Sequence, residues 1–309
     1  AGLSGSIKSF CDHGILSRRN PEKEIAPHDL MQLKNEVGRA IIPPGQSIIF
    51  MQPLDFMVDG LADIRDAIGM TGARLEADFQ LITAEEKAIE NVKQCTRNTG
   101  TKDCQVLPVP VASGEAVLSD DEKEEGVVAV DIGASTTSII IYKNQLIRHV
   151  EVIPIGGNSI TEDIRQWASL NFQSAELLKM QFGSACEPER DEHIQVSFFN
   201  GKKSKLISRR GLTFVIQARV EELLAMIAAS IQTTGLAKQL PFGVVLTGGT
   251  ARLPGIRDLG EKLTGLLFHI GTPEMFLSKK TLQNDQFKVL HSPVYSAAIG
   301  LLKMGLSNN

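Results

Sequence analysis

The sequence predicts an α/β protein with more than one domain, on three observations. Strand-like and helix-like segments alternate along most of its 309 residues. Residues 127–155 read as three consecutive strands joined by tight turns, and two glycine turns, at 131–137 and 247–250, each follow an apolar strand. A chain of this length has room for two or more hydrophobic cores.

Residues 4–86 read as a small α+β unit. Within 25–39, Leu30, Leu33 and Val37 recur at helical spacing, and Pro43-Pro44-Gly45 ends that helix. A strand at 47–51 continues through Phe56 and Val58, residues 68–72 (Ile-Gly-Met-Thr-Gly) form a turn, and 74–82 alternate as a further strand. Residues 85–97 read as a helix ended by Asn98-Thr99-Gly100. Residues 106–111 read as a short strand leading into a helix of small residues, and the acidic run 119–125 as a solvated loop.

The pattern then changes. Val127-Val128-Ala129-Val130 is an apolar strand, 138–142 a second, and 146–155 a third, with Lys143-Asn144-Gln145 as the hairpin turn. This is a meander rather than a β-α-β unit. Gly156-Gly157-Asn158 opens a helix through Trp167, and 174–238 are helical apart from a polar hairpin around Phe199-Asn200-Gly201-Lys202. The long helix 212–233 carries apolar residues at 212, 215, 216, 220, 223, 224 and 227, one broad buried stripe. Strand 243–246, helix 256–263 and a last helix at 295–304 close the chain.

With 32 basic and 36 acidic residues the formal net charge is −4, which argues against a nucleic-acid partner. The cysteines at 11, 95, 104 and 186 form no CxxC pair and sit near no histidine cluster, so free thiols are expected rather than a structural zinc site. No apolar run approaches the roughly 20 residues that cross a bilayer, and no segment reads as a signal peptide. Ala1-Gly2-Leu3-Ser4-Gly5 reads like a strand already under way, so the chain is expected to be part of a longer protein.

Three constellations could carry chemistry. At Asp131-Ile132-Gly133-Ala134-Ser135-Thr136-Thr137, a glycine lets backbone amides turn toward one point, three hydroxyls add donors for phosphate oxygens, and Asp131 could hold water around a magnesium ion. The plainer reading is a tight hairpin. At Thr247-Gly248-Gly249-Thr250, paired glycines let a flat ligand lie against the backbone where a helix starts; the alternative is an ordinary strand-to-helix turn. Glu176 and Lys179, three apart, share one helical face and would otherwise read as a surface salt bridge. Two glycine turns more than 100 residues apart could supply the two walls of one cleft.

In several extended stretches, in order, the sequence resembles FtsA, the actin-like family of bacterial cell division. These include Gly69-Met70-Thr71-Gly72-Ala73-Arg74, Val130-Asp131-Ile132-Gly133, Ile153-Pro154-Ile155-Gly156-Gly157-Asn158 with Ile160-Thr161, and Ala175-Glu176 with Lys179 and Phe182-Gly183-Ser184-Ala185. Val245-Leu246-Thr247-Gly248-Gly249 and Tyr295-Ser296-Ala297-Ala298-Ile299-Gly300 complete the set. The resemblance covers essentially the whole chain. It implies the actin and Hsp70 ATPase fold, which is ribonuclease H-like, with an inserted α+β subdomain at 1–84. It further implies a remainder of the first large subdomain at 85–125, a second large subdomain from 126–158 and 239–309, and a peripheral subdomain at 159–238.

By that resemblance the ligands are ATP and Mg2+. Asp131, Gly133, Ala134, Ser135, Thr136 and Thr137 would face the phosphates, with Asp131 holding the magnesium through water. Glu176 and Lys179 would face the ribose, and Gly248, Gly249 and Thr250 the adenine side. Arg219 and Glu222 match positions that the family uses to hold the C-terminal peptide of FtsZ, its tubulin-like partner. The implied protein is a self-assembling adaptor, at most a slow ATPase. It would tether FtsZ filaments to the cytoplasmic face of the inner membrane at the division site and recruit later division proteins.

The family usually has three consecutive glycines where this chain has Gly133-Ala134-Ser135. The family's opening strands are expected before Ala1 and its amphipathic membrane helix after Asn309. A pilus-assembly relative, PilM, shares the inserted subdomain and is the alternative that Gly133-Ala134 favours. A true ATPase or small-molecule kinase of the same superfamily is the third class.

Overall fold

The structure, a computed structural model, describes residues 1–40, 42–101, 103–197, 204–273 and 285–307. The chain divides into two units. One comprises Ala1–Pro108 with Gln145–Val150, and the other Val109–Asn144 with Glu151–Asn309.

The first unit contains β1 (Gly2–Leu3), β2 (Ile7–Ser17), α1 (Pro27–Ala40), β3 (Gln46–Val58), β4 (Leu61–Ile64), β5 (Arg74–Glu85), α2 (Glu86–Asn98) and β6 (Leu107–Pro108). Its main sheet is antiparallel in the order β2-β5-β3-β4. Alternation along β5 points Leu75, Ala77, Phe79 and Leu81 at one core, where they meet Ile25, Leu33 and Val37. Gly14 on β2 lets α1 approach, since a Cβ there would lie 3.0 Å from Leu33 and overlap Val37. β3 shifts register between Pro53 and Phe56, as expected for a proline that offers no ladder N–H.

The second unit holds α3 (Val109–Val117), α4 (Asp120–Glu125), β7 (Val127–Ile132), β8 (Thr137–Lys143), β9 (Leu146–Ile153), α5 (Gly157–Ala168) and α6 (Phe172–Phe182). There follow β10 (His193–Ser197), β11 (Ser204–Ser208), α7 (Arg209–Thr233), β12 (Val244–Thr247), α8 (Ile256–Thr264), β13 (Phe268–Ile270) and α9 (Ser296–Ser307). Residues 146–150 of β9 group with the first unit. The sheet order is β13-β12-β7-β8-β9, with β12 parallel to both neighbours and β7 antiparallel to β8. Val128, Val130, Ile132, Ile139 and Ile141 pack with Ile160 and Ile164 of α5 and with the α7 stripe from Leu212 to Ile227.

Two expectations are corrected here. Residues 106–111 are not one strand. Only Leu107–Pro108 pairs, parallel to β1, and a helix begins at Val109 with Pro110 in its first turn, where the missing N–H costs nothing. The acidic run 119–125 is not a loop, because Ser119 and Glu122 close a capping box. The Glu122 carboxylate accepts the Ser119 N–H at 2.7 Å and Ser119 Oγ accepts the Glu122 N–H at 3.3 Å.

β10 and β11 form an antiparallel pair from His193↔Ser208 to Ser197↔Ser204. The turn read around Phe199-Asn200-Gly201-Lys202 lies outside the described residues. No helix among the described residues is long and apolar enough to cross a membrane, and all four cysteines are free.

Candidate functional site

β7 delivers Asp131 and Ile132 to the end of the sheet, and the Gly133 N–H closes the turn on Thr136 O at 2.9 Å. The start of α5 then docks on that turn: the Gly157 N–H donates to Gly133 O at 2.9 Å and the Asn158 N–H to Ala134 O at 2.7 Å. Gly156 is required by this approach, because a Cβ there would stand 2.7 Å from Gly133 O and 2.8 Å from Ala134 O.

The second glycine turn arrives from β12. Gly248 has φ 86°, and a Cβ on it would overlap Asp131 and lie 2.6 Å from Ile132 O. Its N–H donates to Pro293 O at 3.1 Å, while the Thr247 and Ser296 hydroxyls pair at 2.7 Å. Thr250 Oγ1 donates to Gly133 O at 3.2 Å, across 117 residues of sequence. Gly133 O therefore uses both lone pairs, one for Gly157 and one for Thr250, and the two glycine turns meet.

Between them lies a cleft of about 310 Å³ whose wall includes Gly133, Ala134, Glu176, Lys179, Gly249 and Thr250. Six of the sequence-predicted residues thus share one cavity. Glu176 and Lys179 do form an i, i+3 ion pair, at 2.8 Å, but with Lys179 largely buried rather than on the outer surface.

The other predicted residues stand apart from the wall. Asp131 sits beneath the turn, where Ser113 Oγ donates to its Oδ2 at 2.5 Å. Burial pushes its carboxyl above the ordinary value, and the Ser113 bond opposes that rise. Ser135 Oγ accepts from Asn158 Nδ2 at 3.3 Å, and Thr136 contributes its carbonyl to the turn. Thr137 is corrected as a phosphate donor: it is fully buried and its hydroxyl donates to Ile155 O at 2.8 Å.

Arg219 and Glu222 lie elsewhere, on α7. Arg219 grips Asp163 of α5 with two bonds, Nε to Oδ2 at 2.6 Å and Nη2 to Oδ1 at 3.0 Å, and also pairs with Glu222. Among the described residues no group of three or more His, Cys, Asp or Glu side chains could hold a metal.

Sequence reasoning gave no role to Ser113, nor to Thr161 beyond its place in the resemblance, and missed the part of the cleft lined by Arg252, Leu253 and Pro254. One signal was available. Gly248-Gly249 is followed at 254–255 by Pro-Gly, and Gly255, at φ 80°, turns the chain into α8.

The family model described as cell division protein FtsA matches residues 128–300, and the one described as the SHS2 domain inserted in FTSA matches residues 4–83. The chain is 35% identical over 308 residues to the cell division protein FtsA of Neisseria meningitidis serogroup B, covering 97% of this chain and 72% of that protein. The chain belongs to the FtsA family. The FtsA of Pseudomonas aeruginosa is 33% identical, over 99% of this chain and 72% of that protein. The FtsA of Bacillus subtilis is 29% identical, over 99% of this chain and 68% of that protein. It is accordingly an actin-like cell division protein carrying the family's inserted domain.

Solved structures agree on the fold. The PilM–PilN type IV pilus biogenesis complex aligns with TM-score 0.65 at 18% identity, over 98% of this chain and 78% of that one. MreB5 of Spiroplasma citri bound to ADP aligns with TM-score 0.58 at 18% identity, over 73% and 69%. A MamK double helical filament aligns with TM-score 0.53 at 16% identity, over 72% and 65%. At these identities the likeness is one of fold alone, so PilM provides no case for a pilus function.

Proposed function

We propose that this FtsA-family chain binds ATP in the cleft between its two glycine turns. The observation that carries this is the Thr250–Gly133 hydrogen bond, which brings both turns to one cavity. Its volume of about 310 Å³ lies at the small end of ligand clefts. The phosphates go to the 131–136 part of the first turn, the ribose to the wall that Glu176 and Lys179 build, and the adenine to the Gly248–Gly249–Thr250 side. Mg2+ would be held through water by Asp131, whose Oδ2 already accepts from Ser113, a single carboxylate being enough for an ion that keeps most of its waters. When bound, the magnesium neutralises phosphate charge. The chain's own part is to hold the turn rigid through Gly157, Asn158 and Thr250.

The adaptor reading follows the family. Arg219 and Glu222 hold the acidic C-terminal peptide of FtsZ, and the chain assembles with copies of itself. The protein works on the cytoplasmic face of the membrane at the division site and recruits later division proteins. That MreB5 is seen with ADP and MamK as a filament supports the nucleotide and the self-assembly. The division into an inserted subdomain at 1–84, a remainder at 85–125, a second large subdomain and a peripheral one at 159–238 belongs to the same reading, and the inserted-domain match at 4–83 supports its first boundary.

Calorimetric titration with ATP and Mg2+ tests it. The expected result is saturable binding at one site, abolished by Gly248→Ala, with turnover far below the roughly 10 per second of a median enzyme. No binding by the intact family protein would remove the nucleotide reading, and turnover of many per second would make it an enzyme.

A further inference from the structure

The wall of the cleft at Glu176 and Lys179 is organised by a residue that touches neither the turns nor solvent. Thr161, one helical turn into α5, has no exposed surface. Its hydroxyl donates to Glu176 Oε2 and accepts from Lys179 Nζ at 2.8 Å, and it also lies 3.0 Å from Gly157 O. The Lys179 ammonium has three protons and three acceptors around it: Thr161 Oγ1, Gly157 O at 2.9 Å and Glu176 Oε2 at 2.8 Å. Lys179 is therefore fully engaged within the protein. Glu176 makes both of these bonds through Oε2, and its partly exposed side chain forms part of the cleft wall.

We propose that Thr161 is a positioning residue: its buried hydroxyl locks Lys179 and one Glu176 oxygen, so that the other Glu176 oxygen faces the cleft as acceptor for the vicinal hydroxyls of a ribose. This rests on the nucleotide reading above and adds to it the residue that sets sugar selectivity. Without the hydroxyl, Lys179 loses one acceptor and Glu176 gains a rotational choice. The carboxylate then no longer presents a fixed oxygen to the sugar, and the ligand's 2′-hydroxyl loses a charge-assisted partner.

The test is the ratio of affinities for ATP and 2′-deoxyATP, measured by calorimetry on the same chain. The unsubstituted protein is expected to favour ATP by roughly tenfold to a hundredfold, the usual scale of one hydrogen bond to a charged group. Thr161→Val, which keeps the branched shape, brings the ratio close to one, as does Thr161→Ala. Thr161→Ser keeps the hydroxyl and keeps the ratio. A uniform loss of affinity for both nucleotides, with the ratio preserved, shows a packing role only and overturns the proposal. So does a ratio lost equally in Thr161→Ser. If Thr161→Val fails to fold, judged by circular dichroism, the Ala and Ser variants decide. An unsubstituted chain that binds neither nucleotide defeats the underlying reading. One that binds ATP and discriminates, while its Val and Ala variants still do, defeats this inference alone.

Discussion

Ser113 Oγ donates a 2.5 Å hydrogen bond to Asp131 Oδ2, joining α3 to the end of β7 directly below the first glycine turn. Ser113 is itself buried, so its hydroxyl has no water as a substitute for this bond. Burial raises the Asp131 carboxyl above its ordinary 3.8 despite this bond. The folded state thus holds that proton more tightly than the unfolded chain. Its contribution to stability falls as pH rises from 3.8 through the folded value, and stays low above it.

Ser113→Ala removes the one contact that favours the charged form and pushes the carboxyl higher still. At about pH 7 the variant should lose roughly 1.5–3 kcal/mol, the range for a hydrogen bond to a charged group. At about pH 3, below even the ordinary value of 3.8, the raised carboxyl is protonated and the loss should shrink. Urea unfolding midpoints at the two pH values check this. Equal losses at both would show that Asp131 is not the partner that matters.

Lys123 is a lysine with almost no exposure on a six-residue helix, and Glu115 explains it. Lys123 Nζ lies 2.7 Å from Glu115 Oε1 and 5.4 Å from the centre of the Tyr142 ring, while Lys303 of α9 reaches Glu115 Oε2 at 3.0 Å. Burial by itself would raise the Glu115 carboxyl, but the two ammonium groups outweigh it and the net shift is downward. The sign follows: this network stabilises the fold above the ordinary value of 4.5, and that contribution is lost as pH falls through the lowered folded value. Lys123→Met removes the buried partner of Glu115, leaves that carboxylate to Lys303 alone, and should cost about 1–3 kcal/mol at neutral pH. Lys303→Met, on a more exposed side chain, should cost less than about 1 kcal/mol. Thermal midpoints of the two variants against pH provide the check, and the reverse order would refute the assignment.

How much of this was legible in the sequence depends on whether the signal was local. The β7–β8 hairpin, the α7 stripe and both glycine turns are written in short-range spacing, and the structure follows them. β2 was not read, because Lys8, Asp12, His13 and Gly14 interrupt its apolar pattern. What makes it a strand is its partner β5, with His13 bonded to Asp78 across 65 residues. α4 was read as solvated because its composition is acidic, yet the capping box and the buried Lys123 organise it. Thr161 and Ser113 belong to the same class. A lone hydroxyl gives no sequence signal until folding sets it against a carboxylate that also matters.

The Arg219 fork bears on partner binding in a way spacing alone did not show. Both Asp163 and Glu222 already neutralise it, so the acidic peptide proposed above would meet a guanidinium with only part of its hydrogen-bonding edge open. Arg219→Glu places three carboxylates together and should weaken binding of the FtsZ C-terminal peptide by more than tenfold at low salt, as expected for lost charge-assisted contacts. Asp163→Asn frees part of the guanidinium and should strengthen it severalfold. Fluorescence anisotropy with labelled peptide reads both. Unchanged affinity in Arg219→Glu removes the residue from the interface, and weakened affinity in Asp163→Asn shows that Asp163 orients Arg219 rather than competing for it.

Ala134 stands where the resemblance leads one to expect glycine, and the backbone explains why the side chain is tolerated. Neither Gly133 nor Ala134 has a positive φ, so the turn does not demand glycine for its conformation. What glycine adds is space, since Ala134 lines the cleft and its carbonyl is pinned by the Asn158 N–H at 2.7 Å. The methyl group cannot move aside without breaking that bond. Ala134→Gly should therefore let phosphate oxygens come closer to the turn's amides and raise ATP affinity by about threefold to tenfold, the worth of one improved hydrogen bond. The same change loosens the unfolded chain and should lower stability by roughly 0.4–1 kcal/mol. Calorimetry and thermal unfolding on one preparation separate the two effects. Weaker ATP binding together with lower stability would mean that the methyl group packs against the ligand instead of holding it away.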